Sequence, residues 1–74
     1  MDQKTFVVYP GALWGWEVIA EGDDEPQVFD HRTAALAHAW TVARGAAPAR
    51  VCLENWYGIV EAEWDVCGSG RLAA

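Results

Sequence analysis

Hydrophobic residues in this chain recur every second position toward each end and about every 3.6 positions in the middle, which confines it to a small layered α+β structure. The first period-two region runs through Phe6-Val7-Val8-Tyr9-Pro10 and Trp14-Gly15-Trp16-Glu17-Val18. The second runs through Val51-Cys52-Leu53 and Tyr57-Gly58-Ile59-Val60, with an alanine-rich stretch of helical spacing between the two. Hairpin, helix, hairpin is the order. The expected architecture is a two-layer ββαββ sandwich, with one helix packed on an antiparallel-rich, four-stranded sheet.

In detail, Thr5 to Tyr9 reads as a first strand ended by Pro10-Gly11-Ala12, and Trp14 to Glu21 as a second. Alternation places Trp14, Trp16, Val18 and Ala20 on one face of that strand and Glu17, Ile19 and Glu21 on the other. Gly22-Asp23-Asp24-Glu25-Pro26 is a polar turn; Gln27-Val28-Phe29 reads as a short extended piece outside the four counted strands. Asp30, or Thr33 in competition with it, is the expected N-cap of a helix reaching about Arg44, with Gly45 as its left-handed closing residue. Ala35, Leu36, Ala39, Trp40 and Ala43 form its apolar stripe, the alanines allowing close approach to the sheet. Ala49 to Glu54 and Ile59 to Val66 then pair across Asn55-Trp56-Tyr57-Gly58. This register puts Val51 and Leu53 on one face with Val60, Ala62 and Trp64, and Cys52, Glu54, Glu61, Glu63 and Asp65 on the other. The expected core is Trp16, Val18, Leu36, Trp40, Val51, Leu53, Val60 and Trp64.

Seventy-four residues make one domain, read as 1–66 with a flexible tail over 67–74. A domain of this size buries only about 60% of the surface its unfolded chain exposes, and five tryptophans are the means of making its core dense. The chain is 53% hydrophobic with net charge −6. That is too apolar for a disordered acidic segment, and the charge repels nucleic-acid phosphates, so no direct nucleic-acid binding is expected. Membrane association is not expected either. No run approaches the roughly 18 apolar residues of a membrane helix, and Met1-Asp2-Gln3-Lys4 lacks the basic start of a signal peptide, which together read as cytoplasmic.

Candidate chemistry is sparse. His31 and His38 are seven positions apart, about 10 Å along a helix, too far to share one metal ion, so no metal and no cofactor is expected. A disulfide between Cys52 and Cys67 is disfavoured because the residue opposite Cys52 counts out as Glu61 or Glu63. Carboxylates beside Cys52 would raise its pKa and leave it a poor nucleophile, and no phosphate-binding glycine loop is present; the chain does not read as an enzyme. What stands out is a row of carboxylates, Glu17, Glu54, Glu61, Glu63 and Asp65, on the sheet side away from the helix, with Ile19 and Cys52 among them. Like charges on adjacent strands cost stability, so the row is either solvated or neutralised by a partner. Trp14 and Trp56, at hairpin turns, suit protein contacts better than base stacking, since no basic residues interleave with them; local packing over the end of the core is the equal alternative. The residues Glu17, Ile19, Glu54, Glu61, Glu63, Asp65, Trp14 and Trp56 are the candidate partner-binding set.

The run Val8-x-Pro10, Trp16-x-Val18, Glu21-Gly22, the helix Ala35-Leu36-x-x-Ala39-x-x-x-Ala43 and the ending Tyr57-Gly58-x-Val60 resemble, over roughly residues 5 to 66, a family of small bacterial proteins catalogued as domain of unknown function 2188. The resemblance implies a ββαββ chain with a tryptophan on its second strand. Tyr57 stands where such chains carry Asp, and this chain is acidic where they tend to be basic. The expected function is a non-enzymatic protein-binding or adaptor domain acting through its acidic sheet face and hairpin tips, with a basic protein as partner. The alternative is a phage- or mobile-element-type inhibitor, similar to some anti-CRISPR proteins, that blocks a basic nucleic-acid-binding complex. A homodimer through a sheet edge is also open, the Val7–Tyr9 strand being the candidate edge. Leu72-Ala73-Ala74 resembles the ending that a bacterial unfoldase-protease reads on tagged substrates.

Overall fold

A computed structural model describes residues 3–11 and 15–66. Six elements follow in order: β1 (Lys4–Pro10), β2 (Trp16–Ala20), β3 (Gln27–Phe29), α1 (Arg32–Gly45), β4 (Ala49–Glu54) and β5 (Val60–Val66). The sheet order is β3-β2-β1-β4-β5. Both hairpins are antiparallel, and they are joined by a parallel pairing of β1 with β4 that matches Phe6 to Val51 and Val8 to Leu53. The α+β class is as expected, but among the described residues the sheet has five strands and not four. β3 pairs with β2, Trp16 opposite Phe29 and Val18 opposite Gln27. Its three residues are too few to show a period, and its docking depends on a backbone detail: a Cβ on Gly15 would lie 2.8 Å from the Phe29 carbonyl oxygen. The hydrogen atom at Gly15 is what lets β3 close on the sheet.

The helix packs on one face of the sheet, against β1, β2, β3 and β4. Ala35, Ala39 and Ala43 are fully buried, as their spacing implies, and they bring the helix onto Phe6, Val8, Val18, Val51 and Leu53. Val8 and Val51 are the largest side chains with no exposure. The close approach has a consequence the composition does not reveal. A gap set by alanine methyls has no room for indoles, so Trp16, Trp40 and Trp64, with Leu36, lie partly buried around the core and not at its centre. Trp40 and Trp64 meet at 5.8 Å between ring centroids, and the Arg44 guanidinium lies 5.9 Å from the Trp40 ring.

Both helix ends differ from expectation. Neither Asp30 nor Thr33 caps the helix; His31 is the N-cap, in extended conformation with no side-chain cap bond, and its carbonyl accepts from the Ala35 amide. The start is set by β3, which ends at Phe29 and leaves two residues to turn the chain before Ala35 must reach the core. At the other end Gly45 is the last helical residue, and Ala46 closes the helix with φ −108°, donating to the carbonyls of Val42 and Ala43. No left-handed residue is used there.

Cys52 faces Glu63, one of its two anticipated partners. The register then slips at Leu53/Glu54, and the resulting bulge sets Val60 opposite Glu54. Val60 therefore leaves the face of Leu53, Ala62 and Trp64; it is 42% exposed and not part of the core. Nor is Val7–Tyr9 an edge. β1 is paired on both sides, so among the described residues the outermost strands are β3 and β5.

Candidate functional site

With the helix on one face, the other face of the sheet has no second layer among the described residues. Pairing in register builds this face in rows across the strands. One row is Ile19, Val7, Cys52 and Glu63, from β2 to β5. A second is Thr5, Arg50 and Asp65, and a third begins at Glu17 and Tyr9 and continues toward Glu54, which lies opposite Val60. The middle row is apolar at its β2 end and carboxylate at its β5 end. β5 carries Glu61, Glu63 and Asp65 outward and β1 only Thr5, Val7 and Tyr9, while the third row adds Glu17 on β2 and Glu54 on β4.

Two internal pairings order this surface. The Tyr9 hydroxyl donates to Glu17 Oε1 at 2.8 Å. Partial burial, that hydrogen bond and the nearby Glu17 and Glu54 charges push the Tyr9 pKa up to about 12, so the phenol stays neutral. Arg50 donates through Nε to Asp65 Oδ1 at 3.2 Å and lies 3.7 Å from Glu63 Oε1 through Nη1. Both Arg50 ion pairs are well exposed, so they orient side chains more than they stabilise the fold. Among the described residues, one guanidinium against Glu17, Glu54, Glu61, Glu63 and Asp65 leaves the face strongly negative. Cys52, 8% exposed, lies beneath these charges. Burial first, and Glu63 second, raise its pKa, against a smaller opposing effect of Arg50. It is a packed thiol with little thiolate to offer.

The β4–β5 turn forms the second part of the site. Asn55 organises it: its Oδ1 accepts from the amides of Tyr57 at 2.8 Å and Ile59 at 3.1 Å, while its own amide donates to the Ile59 carbonyl at 3.0 Å. Gly58 takes φ +76°, the left-handed geometry that lets the turn close. The tip built this way holds Trp56 at 64% exposure, Tyr57 at 86% and Ile59 at 60%, with Val60 beside them. Four large apolar side chains in one ordered turn are costly to leave in water.

Of the candidate set, Glu17, Ile19, Glu54, Glu61, Glu63 and Asp65 fall on the open face, and Trp56 on the tip at its β5 end. Trp14, the 67–74 tail, Cys67 and the Leu72-Ala73-Ala74 ending lie outside the described residues. Sequence reasoning missed Tyr9 and Arg50, although both share the parity of the outward residues, and it missed Tyr57, Ile59 and Val60 as members of the tip.

On the helix side, a shallow cleft of about 250 Å³ is lined by Phe6, Val18, Ala20 and Val42 with Asp23, Glu25, Gln27 and His38. It is smaller than the pockets that hold typical ligands. His38 packs its ring on Phe29 at 5.0 Å, and His31 lies at the helix start, so the two do not converge. Among the described residues no group of three His, Cys, Asp or Glu side chains is placed to hold a metal ion, and no helix is long and apolar enough to cross a membrane.

No family model, no curated protein and no solved structure matches this chain.

Proposed function

We propose that this protein is a non-enzymatic protein-binding domain of cytoplasmic type whose working surface is the open, acidic sheet face together with the β4–β5 tip, and whose partner is a basic protein. The observation that carries the reading is the joining of two costly features on one rim. Carboxylates stand in alternate positions along β5, and that strand, exposed at Val60, follows a hydrogen-bonded turn that exposes Trp56, Tyr57 and Ile59. Either feature alone is tolerated on many surfaces. Together they supply the charged field that steers an encounter and the aromatic anchors that hold it. The likeness to the domain of unknown function 2188 family, which rests on Trp16-x-Val18 and the alanine-spaced helix, is part of the same proposal.

Capture of partners on immobilised protein, in parallel with Glu61→Lys/Glu63→Lys and with Trp56→Ala, tests the reading. Both side-chain sets point away from the core, so the variants should melt with the parent while losing the captured protein. Binding should also weaken as salt rises toward 1 M, where the screening length falls to about 3 Å. Unchanged capture by both variants at high salt defeats the proposal. Capture of a nucleic-acid-binding complex, reversed by its own nucleic acid, would shift the reading to the inhibitor described above.

A further inference from the structure

The sheet offers two free edges among the described residues, and they differ. β3 is three residues long, one of the ordinary ways in which a protein blunts an edge. β5 is seven residues long; its three carboxylates and the bulge at its start guard it against pairing with its own kind, and past the bulge it runs regularly from Ala62 to Val66. Its outer backbone amides and carbonyls face no described strand. An edge of this length is a template for another strand.

Its side chains state which strand it would accept. Glu61, Glu63 and Asp65 stand on the open face, and Ala62 and Trp64 on the helix face. The inner neighbour already displays the complementary chemistry: Arg50 of β4, directly opposite Asp65, reaches both Asp65 and Glu63. We infer that β5 binds an extended segment of a basic protein as a sixth strand, with Lys or Arg alternating with apolar residues. The basic side chains meet Glu61, Glu63 and Asp65 from the outer side as Arg50 does from the inner. The apolar ones continue the layer of Ala62 and Trp64, and the segment's end rests on Trp56 and Ile59. A second copy of this chain is a poor occupant, because two β5 strands side by side would oppose carboxylate to carboxylate. This inference rests on the acidic-face reading and adds to it the binding mode and the sequence pattern of the partner.

The test uses the whole protein and synthetic peptides. One peptide alternates lysine and valine; a second has the same composition with all lysines before all valines; two more are the alternating peptide N-methylated at every second residue, in either phase. The alternating peptide should shift the amide resonances of Val60–Val66 and slow their exchange, with the protein remaining monomeric. The block peptide, and one of the two methylated phases, should bind about tenfold more weakly, a difference of about 1.4 kcal/mol. Glu63→Gln should weaken the alternating peptide with no change in melting temperature, and Asp65→Asn provides the same check if that variant misfolds. Equal binding of all four peptides overturns strand addition and leaves the acidic-face reading standing. Failure of every basic peptide to bind overturns both. A concentration-dependent dimer whose β5 amides are protected without peptide overturns the inference in favour of self-pairing.

Discussion

The Tyr9 hydroxyl and the Glu17 carboxylate face each other across the β1–β2 pair at 2.8 Å, on the sheet surface that no helix covers. Because the Tyr9 pKa rises from about 10 in the unfolded chain to about 12 in the fold, the folded form keeps a proton the unfolded form has lost in that interval. The stabilisation is therefore complete below about pH 10 and is lost as pH rises through about 12. Urea unfolding between these values should show stability falling with pH, and Tyr9→Phe should flatten that slope. At neutral pH the same substitution should cost about 0.5–1.5 kcal/mol, the net worth of one hydrogen bond.

The alanine contact predicts a sharp contrast on one helix. Ala39 is fully buried against the sheet while Ala37 is exposed. Ala39→Leu should destabilise by about 1–3 kcal/mol through overpacking, and Ala37→Leu should stay within about 0.5 kcal/mol of the parent. Equal effects in chemical denaturation would mean the helix does not sit on its alanines.

The bulge at Glu54 makes Val60 and Val66 opposites in behaviour. Val60→Ser should change stability by less than about 0.5 kcal/mol, whereas Val66→Ser, at a 7% exposed position packed in the core, should cost several times more. Thermal melts of the two variants decide between this register and an unbulged one, which would return Val60 to the core.

Trp40 and Trp64 should be energetically coupled. Single alanine substitutions and their combination form a cycle whose interaction energy should be about 0.5–1.5 kcal/mol, the value of an aromatic pair beyond simple burial. Additive losses would mean the rings touch the core separately.

Asn55 should be the keystone of the exposed tip. Asn55→Ala removes the acceptor of two backbone amides, and Gly58→Ala forces a Cβ into φ +76° at about 1–2 kcal/mol. Either should speed hydrogen exchange at Tyr57 and Ile59 while leaving β1 and β2 amides protected. Protection lost throughout the sheet would show that the turn is part of the global core.

Strand parity was readable from the residues wherever a strand keeps strict alternation and one covered face, which is why Val18, Val51 and Leu53 fall in the core and Glu17, Glu63 and Asp65 outside it. Val60 was not readable. A bulge inserts one residue without any mark in the hydrophobic pattern, and every side chain beyond it changes face. β3 was readable as an extended piece at Gln27–Phe29, but three residues are too few to show that it joins the sheet; the helix start was hidden by that strand, which dictates it from outside, where Asp30 and Thr33 advertise caps that the fold does not use. On the candidate surface, alternation located the carboxylates but not the companions of Tyr9 and Arg50. Those are set by which strands lie side by side, and the parallel pairing of β1 with β4 cannot be seen in either segment alone.

That pairing makes β1 the seam of the molecule. β1 has one neighbour close in sequence, β2, but its second, β4, comes only after the whole intervening chain and helix. Until Val51 and Leu53 join them, Phe6 and Val8 lack a neighbouring strand on one side, so the N-terminal half is a three-stranded sheet open at β1, with the helix resting on β1 and β2 but lacking its contact with β4. Closing so long a loop must precede the contacts that reward it, and that entropic cost falls at the junction of the two halves. The same geometry means that the two halves, expressed as separate fragments cut within 46–48, should each be unable to bury their apolar surface alone yet recover a single sheet when mixed, with β1 and β4 as the docking strands.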